Sequence, residues 1–386
     1  MSNAGEGTIG VGMVGHAFMG KVHTHAWRSV HHFFDVPLAP RLAVLGGRDL
    51  DRTKAAAAKL GWDAVETDWR ALIARDDVQI VDICTPGDSH KDIAIAALAA
   101  GKHVLCEKPL ANSVAEAEEM AAAAAAAAAN GQRSMVAFNY RRVPALAVAR
   151  QMIADGRLGK IRHVRSQYLQ DWLSDPNTPM AWRLRKEQAG SGALGDIGAH
   201  IIDATQFLLG EHLTGVSALM ETFVHKRPLD GDPKGKLDDV TVDDAALFIG
   251  RFASGALATY EATRFALGRK NSMRLEINGE HGSLAFDFES MNELSFYDGT
   301  GDEQSAGFRR ILITEPTHPY VGAWWPPGHI IGYEHTFTHE VYDFLTDIHN
   351  GTDPVPGFAD GLQVQRVLAA VESSATTGSG WVAVSS

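Results

Sequence analysis

The stretch that most restricts this chain lies close to its start. Thr8–Val14 is apolar and β-prone, Gly15-His16-Ala17-Phe18-Met19-Gly20 follows, and a helical pattern then runs over residues 20–30. Strand, glycine turn and helix in that order open a βαβ unit: one glycine makes the tight turn and another lets helix and strand backbones approach. Gly10-Val11-Gly12-Met13-Val14-Gly15 has a similar spacing of glycines, but that register would put the turn inside the strand with no helix start after it. In the preferred register Gly15 turns, Ala17 stands where a second glycine is usual, and Gly20 lies at the helix–strand crossing.

The surrounding pattern extends this unit. Apolar segments at 42–45, 78–84, 103–105 and 135–138 alternate with helical patterns at 49–60, 68–74 and 90–100, the sign of a parallel sheet covered on both faces. A longer helix starts at Ser113, with Glu116 completing a capping box, and runs through nine alanines to Asn130-Gly131. With 386 residues the chain exceeds one hydrophobic core. Past residue 140 the pattern changes to strands at 161–172, 216–225, 245–252, 256–265, 273–277 and 283–288, with hairpin signals at Ala253-Ser254-Gly255 and Asn278-Gly279. The expected organisation is therefore α/β: a doubly wound parallel sheet over residues 1–140, then an α/β domain with a largely antiparallel open sheet over 141–386. Ala258, Tyr260, Ala262 and Arg264 share one face of a strand, which suggests helices on that side and a partner subunit on the other. Residues 229–239 and 298–307 read as polar loops.

Composition narrows the function classes. Hydrophobic residues at 45% and charged residues at 21% describe an ordinary globular protein, and no apolar run is long enough to span a bilayer. A net charge of -12 argues against a phosphate backbone as partner. Only Cys84 and Cys106 occur, both in apolar runs, and no basic-then-apolar leader opens the chain, so a reducing cytoplasm is expected.

Three places carry candidate chemistry. Leu105-Cys106-Glu107-Lys108-Pro109 puts Lys108 at the carboxyl end of a parallel strand, where open α/β sheets bind ligands and where a lysine can share a proton with a hydroxyl. In Gly195-Asp196-Ile197-Gly198-Ala199-His200, Asp196 and His200 are four apart and share a helix face, so the carboxylate can orient the imidazole and raise its basicity. At the end of the second strand, where an acidic residue would take a ribose 2′-hydroxyl, the chain has Gly46-Gly47-Arg48, which leans toward NADP over NAD, although Asp49 could turn back toward the ribose. His335 and His339 are also four apart, but the order is not H-E-x-x-H and no third ligand stands out, so no metal is expected.

Together, the Gly15-to-Gly20 turn, Thr85-Pro86, Glu107-Lys108-Pro109 and the Gly195-to-His200 segment resemble the Gfo/Idh/MocA family of NAD(P)-dependent oxidoreductases. The resemblance implies an amino-terminal Rossmann domain and a carboxyl-terminal domain whose open sheet builds the substrate site and the oligomer interface, as a homo-dimer or homo-tetramer. It places the dinucleotide on Gly15, Ala17, Phe18, Met19, Gly20, Gly47, Arg48, Thr85, Pro86, His90, Glu107 and Lys108, and implies a cis bond before Pro109. It implies a catalytic set of Lys108, Asp196 and His200, with His200 as base and Lys108 as cationic partner, or the reverse. A sugar or cyclitol substrate follows, of inositol or levoglucosan type, met by Tyr140, Arg141, Trp172, Arg183 and His200; Trp182 and the Trp324-Trp325 loop are further aromatic candidates. A redox-neutral glycosidase that uses the dinucleotide only transiently, or a non-catalytic regulator of the same fold, is the alternative.

Overall fold

In the computed structural model, which describes residues 7–232 and 234–385, β1 (Thr8–Val14) is the third strand of a six-stranded sheet. The others are β2 (Ala39–Gly46), β3 (Ala64–Glu66), β4 (Ile80–Ile83), β5 (His103–Cys106) and β6 (Ser134–Val136), in the order β3-β2-β1-β4-β5-β6. Every pairing is parallel. Strand order reverses at β1 and β4, the switch point at whose carboxyl side such sheets bind ligands. The connections are α1 (Phe18–Phe33), α2 (Leu50–Leu60), α3 (Trp69–Ile73), α4 (His90–Ala99) and α5 (Val114–Ala128).

Local sequence explains these elements. α1 buries Gly20, His23, Thr24, Ala26, Trp27 and Val30 at helical spacing. Asp49 caps α2 through the Arg52 amide, and left-handed Gly61 ends it. Ser113 caps α5 through the Glu116 amide at 3.3 Å, while the Glu116 carboxylate accepts from the Asn112 amide at 3.1 Å. Gly10 and Gly12 lie inside β1, where an added Cβ would meet the Asp77 carbonyl at 1.9 Å and Leu72 at 2.8 Å. Those two glycines serve packing, so the turn belongs to Gly15.

The second unit, Val143–Ile330 with the chain from Gln363 onward, holds a nine-stranded sheet. Its strands are β7 (Ile161–Leu169), β8 (Leu213–Glu221), β11 (Ala245–Phe252), β12 (Leu257–Thr263), β13 (Ser272–Gly279), β14 (Gly282–Asp287), β15 (Glu293–Asp298), β16 (Arg309–Leu312) and β17 (Val382–Ala383). The order is β16-β15-β14-β13-β7-β12-β11-β8-β17; only β7 and β12 run parallel. β9 (Lys226–Pro228) and β10 (Leu237–Asp239) form a separate ribbon, so the stretch read as a polar loop returns to a strand at its end. α6 (Pro144–Ala154), α7 (Lys186–Ala189) and α8 (Ala199–Leu209) complete this unit's layer, with Thr205 of α8 hydrogen-bonded to the Tyr260 hydroxyl of β12 at 2.8 Å. As the alternation implies, Ala258, Tyr260, Ala262 and Arg264 are buried, whereas Leu219, Leu247, Ile249 and Leu257 on the opposite face are exposed.

The chain is divided at more points than the single boundary near residue 140. Residues up to Arg142 group with Ile331–Leu362, which carry α9 (Tyr333–Asn350) and the start of α10 (Phe358–Thr376). Asn139 donates to Thr336 at 2.8 Å and Arg142 to Asp343 at 3.1 Å, polar ties that seat α9 on the first unit. No described helix is long and apolar enough to cross a membrane.

Candidate active site

In the first unit the functional candidates converge at one sheet end. Val14 pairs with Gly46 and with Ile83, and Ile83 with Cys106, so Gly15, Gly47, Thr85 and Glu107 all follow strand ends of the same edge. Gly15 has φ 102°, and a Cβ there would lie 2.6 Å from the Cys84 carbonyl. At Gly20 a Cβ would meet the Gly15 carbonyl at 2.3 Å, so the helix can approach the turn only without a side chain. No side chain caps α1 at Ala17 and no acidic residue occupies its first turn. An uncapped helix start with exposed Ala17 and Phe18 fits a pyrophosphate, whose charge the amides and the helix dipole favour. Met19 is half-buried in the same turn.

At the ribose end, Gly47 is backed by His16 and Thr53, which lie 3.2 Å apart; a Cβ at Gly47 would come within 2.6 Å of either. Arg48 is exposed and Asp49 is occupied as the α2 cap. Thr85 accepts from Ser89 at 2.7 Å, and Pro86 leads into a short helical turn. His90 is buried with its ring nitrogens 2.9 Å from the Thr85 carbonyl and 3.1 Å from that of Pro109. It is placed to tie two strand ends together. Lys108–Pro109 is cis, and Lys108 is half-buried with its amide donated to Glu107 Oε2 at 3.1 Å.

Also within this unit, Tyr140 and Arg141 lie on a buried 3-10 turn, where Arg141 reaches Asp360 at 3.4 Å and the Tyr140 ring stands 6.4 Å from Tyr333. His335 Nδ1 accepts the Gly332 amide at α9's start, and His339 Nδ1 lies 2.9 Å from the Arg142 carbonyl. Burial pushes His339 down to about 3, so its ring is neutral. Each of these histidines has a structural partner.

The second unit builds an arc of polar side chains around His200. The expected helix start at Asp196 is a π-turn, Leu194–Gly198, which continues as α8. Asp243 pins its entry: its carboxylate accepts the Gly192 and Leu194 amides at 2.6 and 2.8 Å. Its carbonyl accepts from Arg264 Nη2 at 3.0 Å. A side chain at Gly192 would strike that carbonyl at 1.8 Å. Asp196 is flanked by Arg264 Nη1 at 3.6 Å and Arg183 Nε at 3.9 Å. Arg264 is fully buried, while Arg183 is partly exposed over the Trp182 ring.

From Arg264 the arc passes to Trp172, whose ring centroid lies 5.6 Å away, then from Trp172 Nε1 to Gln170 at 3.0 Å. Gln170 and the Tyr168 hydroxyl both donate to Asn271, and the Tyr168 ring stands 5.9 Å from His200. Leu173, Leu184, Val240 and Val242 form a small apolar cluster that anchors the segments bearing Trp172, Trp182 and Arg183. Buried Arg227 fixes the loop after Trp172 through the Leu173 and Asp175 carbonyls. Sequence reading named Trp172, Arg183, Asp196 and His200 but missed Tyr168, Gln170, Arg264 and Asn271. Period-two alternation over the expected strand 161–172 would put residues 168, 170 and 172 on one face and could have found the first two, although β7 itself ends at Leu169. Trp324 and Trp325 pair at 6.3 Å, with Trp325 exposed.

Both units match known proteins. Residues 9–138 match the family model described as oxidoreductase family, NAD-binding Rossmann fold. Residues 146–285 match the GFO/IDH/MocA C-terminal domain. A levoglucosan dehydrogenase of Pseudarthrobacter phenanthrenivorans is 41% identical over 97% of this chain and 98% of its own. Its fold-mates include a levoglucosan dehydrogenase solved with NADH and levoglucosan, at TM-score 0.93 and 41% identity over 98% of this chain and 99% of that one. A crystal structure of an oxidoreductase domain protein from Kribbella flavida superposes at TM-score 0.95 with 64% identity, over 98% of this chain and 100% of that one. The two models together span most of the chain, which is a member of the Gfo/Idh/MocA family of oxidoreductases.

Proposed function

We propose that the protein oxidises a secondary hydroxyl of an anhydrosugar, levoglucosan being the first to test, with NAD as the acceptor. The observation that carries this reading is the arc of the second unit. It combines a histidine, a carboxylate flanked by two guanidiniums, an amide pair and an exposed indole. A compact polyol needs donors and acceptors for its hydroxyls and an aromatic face for its C–H surface. The 41% identity to a levoglucosan dehydrogenase supports the anhydrosugar class over inositol.

Bound dinucleotide supplies the hydride acceptor. His200 takes the proton of the reacting hydroxyl, Asp196 holds that end of the arc negative, and Lys108 supplies a cation for the developing alkoxide. NAD is preferred to NADP, against the lean read from Gly47-Arg48: Arg48 is exposed, and the levoglucosan dehydrogenase complex holds NADH. The exposed apolar face of Leu219, Leu247, Ile249 and Leu257 is assigned to contact between copies, as a dimer or tetramer, which sedimentation velocity checks. Buried free thiols at Cys84 and Cys106 support a cytoplasmic site.

The test is NADH formation from levoglucosan, with NADP and myo-inositol as comparisons. Lys108→Ala and His200→Ala are each expected to lower kcat by about 10²–10⁴-fold while NADH binding persists. Retained turnover in both variants would misplace the chemistry. Consumption of a glycoside with catalytic dinucleotide and no net reduction would move the protein to the redox-neutral class.

A further inference from the structure

Beside the strand end that carries Lys108 lies a row of buried side chains that neither the glycine turn nor the substrate arc uses. His23 of α1 is 1% exposed. Its Nδ1 stands 3.0 Å from both carboxylate oxygens of Asp82 in β4, and its Nε2 stands 2.9 Å from Glu107 Oε1. Trp27 Nε1 donates to Asp82 Oδ2 at 2.7 Å and the Cys84 thiol to Oδ1 at 3.5 Å. The remaining oxygen of Glu107, Oε2, accepts the Lys108 amide. Ionised carboxylates only accept, so a ring bonded to one on each side must carry a proton on each nitrogen.

His23, Asp82 and Cys84 bring their donor atoms within 4.8 Å of one another, a spacing that a metal could use. The geometry favours hydrogen bonding instead: both ring nitrogens face carboxylate oxygens, and the thiol points at Asp82. Burial alone would push the imidazole down, but the Asp82 charge, then Cys84 and the Asp82 hydrogen bond, carry it well above its ordinary value. The cluster is thus a carboxylate–imidazolium–carboxylate sandwich running from the inside of β4 to the backbone of the Glu-Lys-Pro segment.

We propose that His23 is a positioning residue, one that holds Glu107 from below and, through the second oxygen of Glu107, fixes the Lys108 backbone so that its amine is presented in one place. The assignment rests on the reading of Lys108 as a catalytic group. It explains why a helix facing the sheet interior spends a histidine where an apolar side chain would be cheaper to bury. It also accounts for the glutamate, whose two oxygens face two different partners.

Two amide variants separate positioning from general structural support. In His23→Asn the amide nitrogen falls near the position of Nδ1, keeping Asp82 and releasing Glu107. In His23→Gln it reaches toward the position of Nε2, keeping Glu107 and releasing Asp82. With levoglucosan and NAD, His23→Asn is expected to lower kcat by about 10-fold or more, with NADH Kd within about 2-fold, while His23→Gln stays within about 3-fold of the parent kcat. Hydrogen exchange of the peptide spanning residues 105–110, measured without substrate, is expected to quicken in His23→Asn only. Equal kcat in the two variants, unchanged or falling in step with Tm, would overturn the proposal. The exchange arm does not depend on turnover, so a parent protein that oxidises no sugar would defeat the substrate reading and leave this one standing or falling on exchange. Should both variants fail to fold, ring ¹⁵N shifts of the unsubstituted protein decide: two protonated ring nitrogens at neutral pH support the sandwich, and a neutral tautomer bonded to one carboxylate overturns it.

Discussion

The two halves of the chemistry are built from different materials. At the end of the parallel sheet, the candidate dinucleotide site is made largely of backbone: Gly15 at φ 102°, the uncapped start of α1, and Gly20, where a Cβ would meet the Gly15 carbonyl. Around His200 the surface is made of side chains that come from β7, the end of β12, the loop before β13 and a π-turn. A backbone site tolerates almost no added volume but asks little of side-chain identity. A side-chain arc is graded, because each group contributes its own hydrogen bond and a neighbour or water can partly replace it.

Adding one methyl group at Gly20 should therefore have the largest effect. Its Cβ would lie 2.3 Å from the Gly15 carbonyl, so the helix must shift away from the turn. Gly20→Ala is expected to weaken NADH binding by about 100-fold and to cost about 1–3 kcal/mol of stability, read by fluorescence titration and thermal unfolding. Tight NADH binding in that variant would show that the turn is more pliant than a backbone-built site should be.

The arc should respond in smaller steps. Arg264 is buried with one guanidinium nitrogen on the Asp243 carbonyl and another 3.6 Å from Asp196, so it supports both the entry and the charge of the π-turn. Arg264→Met is expected to lower kcat/KM for the sugar by about 30-fold, most of it in kcat, with NADH affinity kept. The Asn271 side chain accepts from Tyr168 and Gln170, and Asn271→Ala should raise KM by about 5-fold with kcat nearly unchanged. If Asn271→Ala were the more damaging of the two, the arc would centre on the His200–Tyr168 end instead of on Asp196.

The same contrast governs what the sequence could reveal. Glycines between a strand and a helix are local, so the turn, its register and the parallel sheet were legible from residues 8–30 and the alternation that follows. Lys108, Asp196 and His200 could be named as candidates because each lies in a short motif. Arg264 and Asn271 were not: they meet Asp196 and Tyr168 only through β-pairing across about a hundred positions or through a turn, and no spacing in the sequence encodes that. The return of residues 331–362 to the first unit was hidden for the same reason, since α9 is amphipathic and nothing in its own pattern says which apolar surface it covers. The choice between NAD and NADP was legible only as far as a charge at Arg48, because a sequence shows a charge but not its distance from a ligand.

Glu340 of α9 gives the smallest effect on activity and isolates a cost of burial with no part in either half of the chemistry. Its carboxyl is buried and neither oxygen finds a hydrogen-bond partner among the described residues. Burial pushes it up to about 8; Arg142 and His23 pull it down, and Glu107 and Asp82 push the same way as burial. The sign follows from proton binding. Between the ordinary value of 4.5 and about 8 the folded chain holds a proton that the unfolded chain has released, so this group makes the protein less stable as pH rises through that window. Glu340→Gln imitates the protonated acid and does not titrate. Its Tm should match the parent near the ordinary carboxyl value and exceed it by about 2–6 °C near neutral to mildly alkaline pH, with kcat on levoglucosan unchanged. A constant Tm difference across that window would mean that the carboxyl is ionised in the folded state, held so by the Arg142 and His23 charges against both burial and the neighbouring carboxylates.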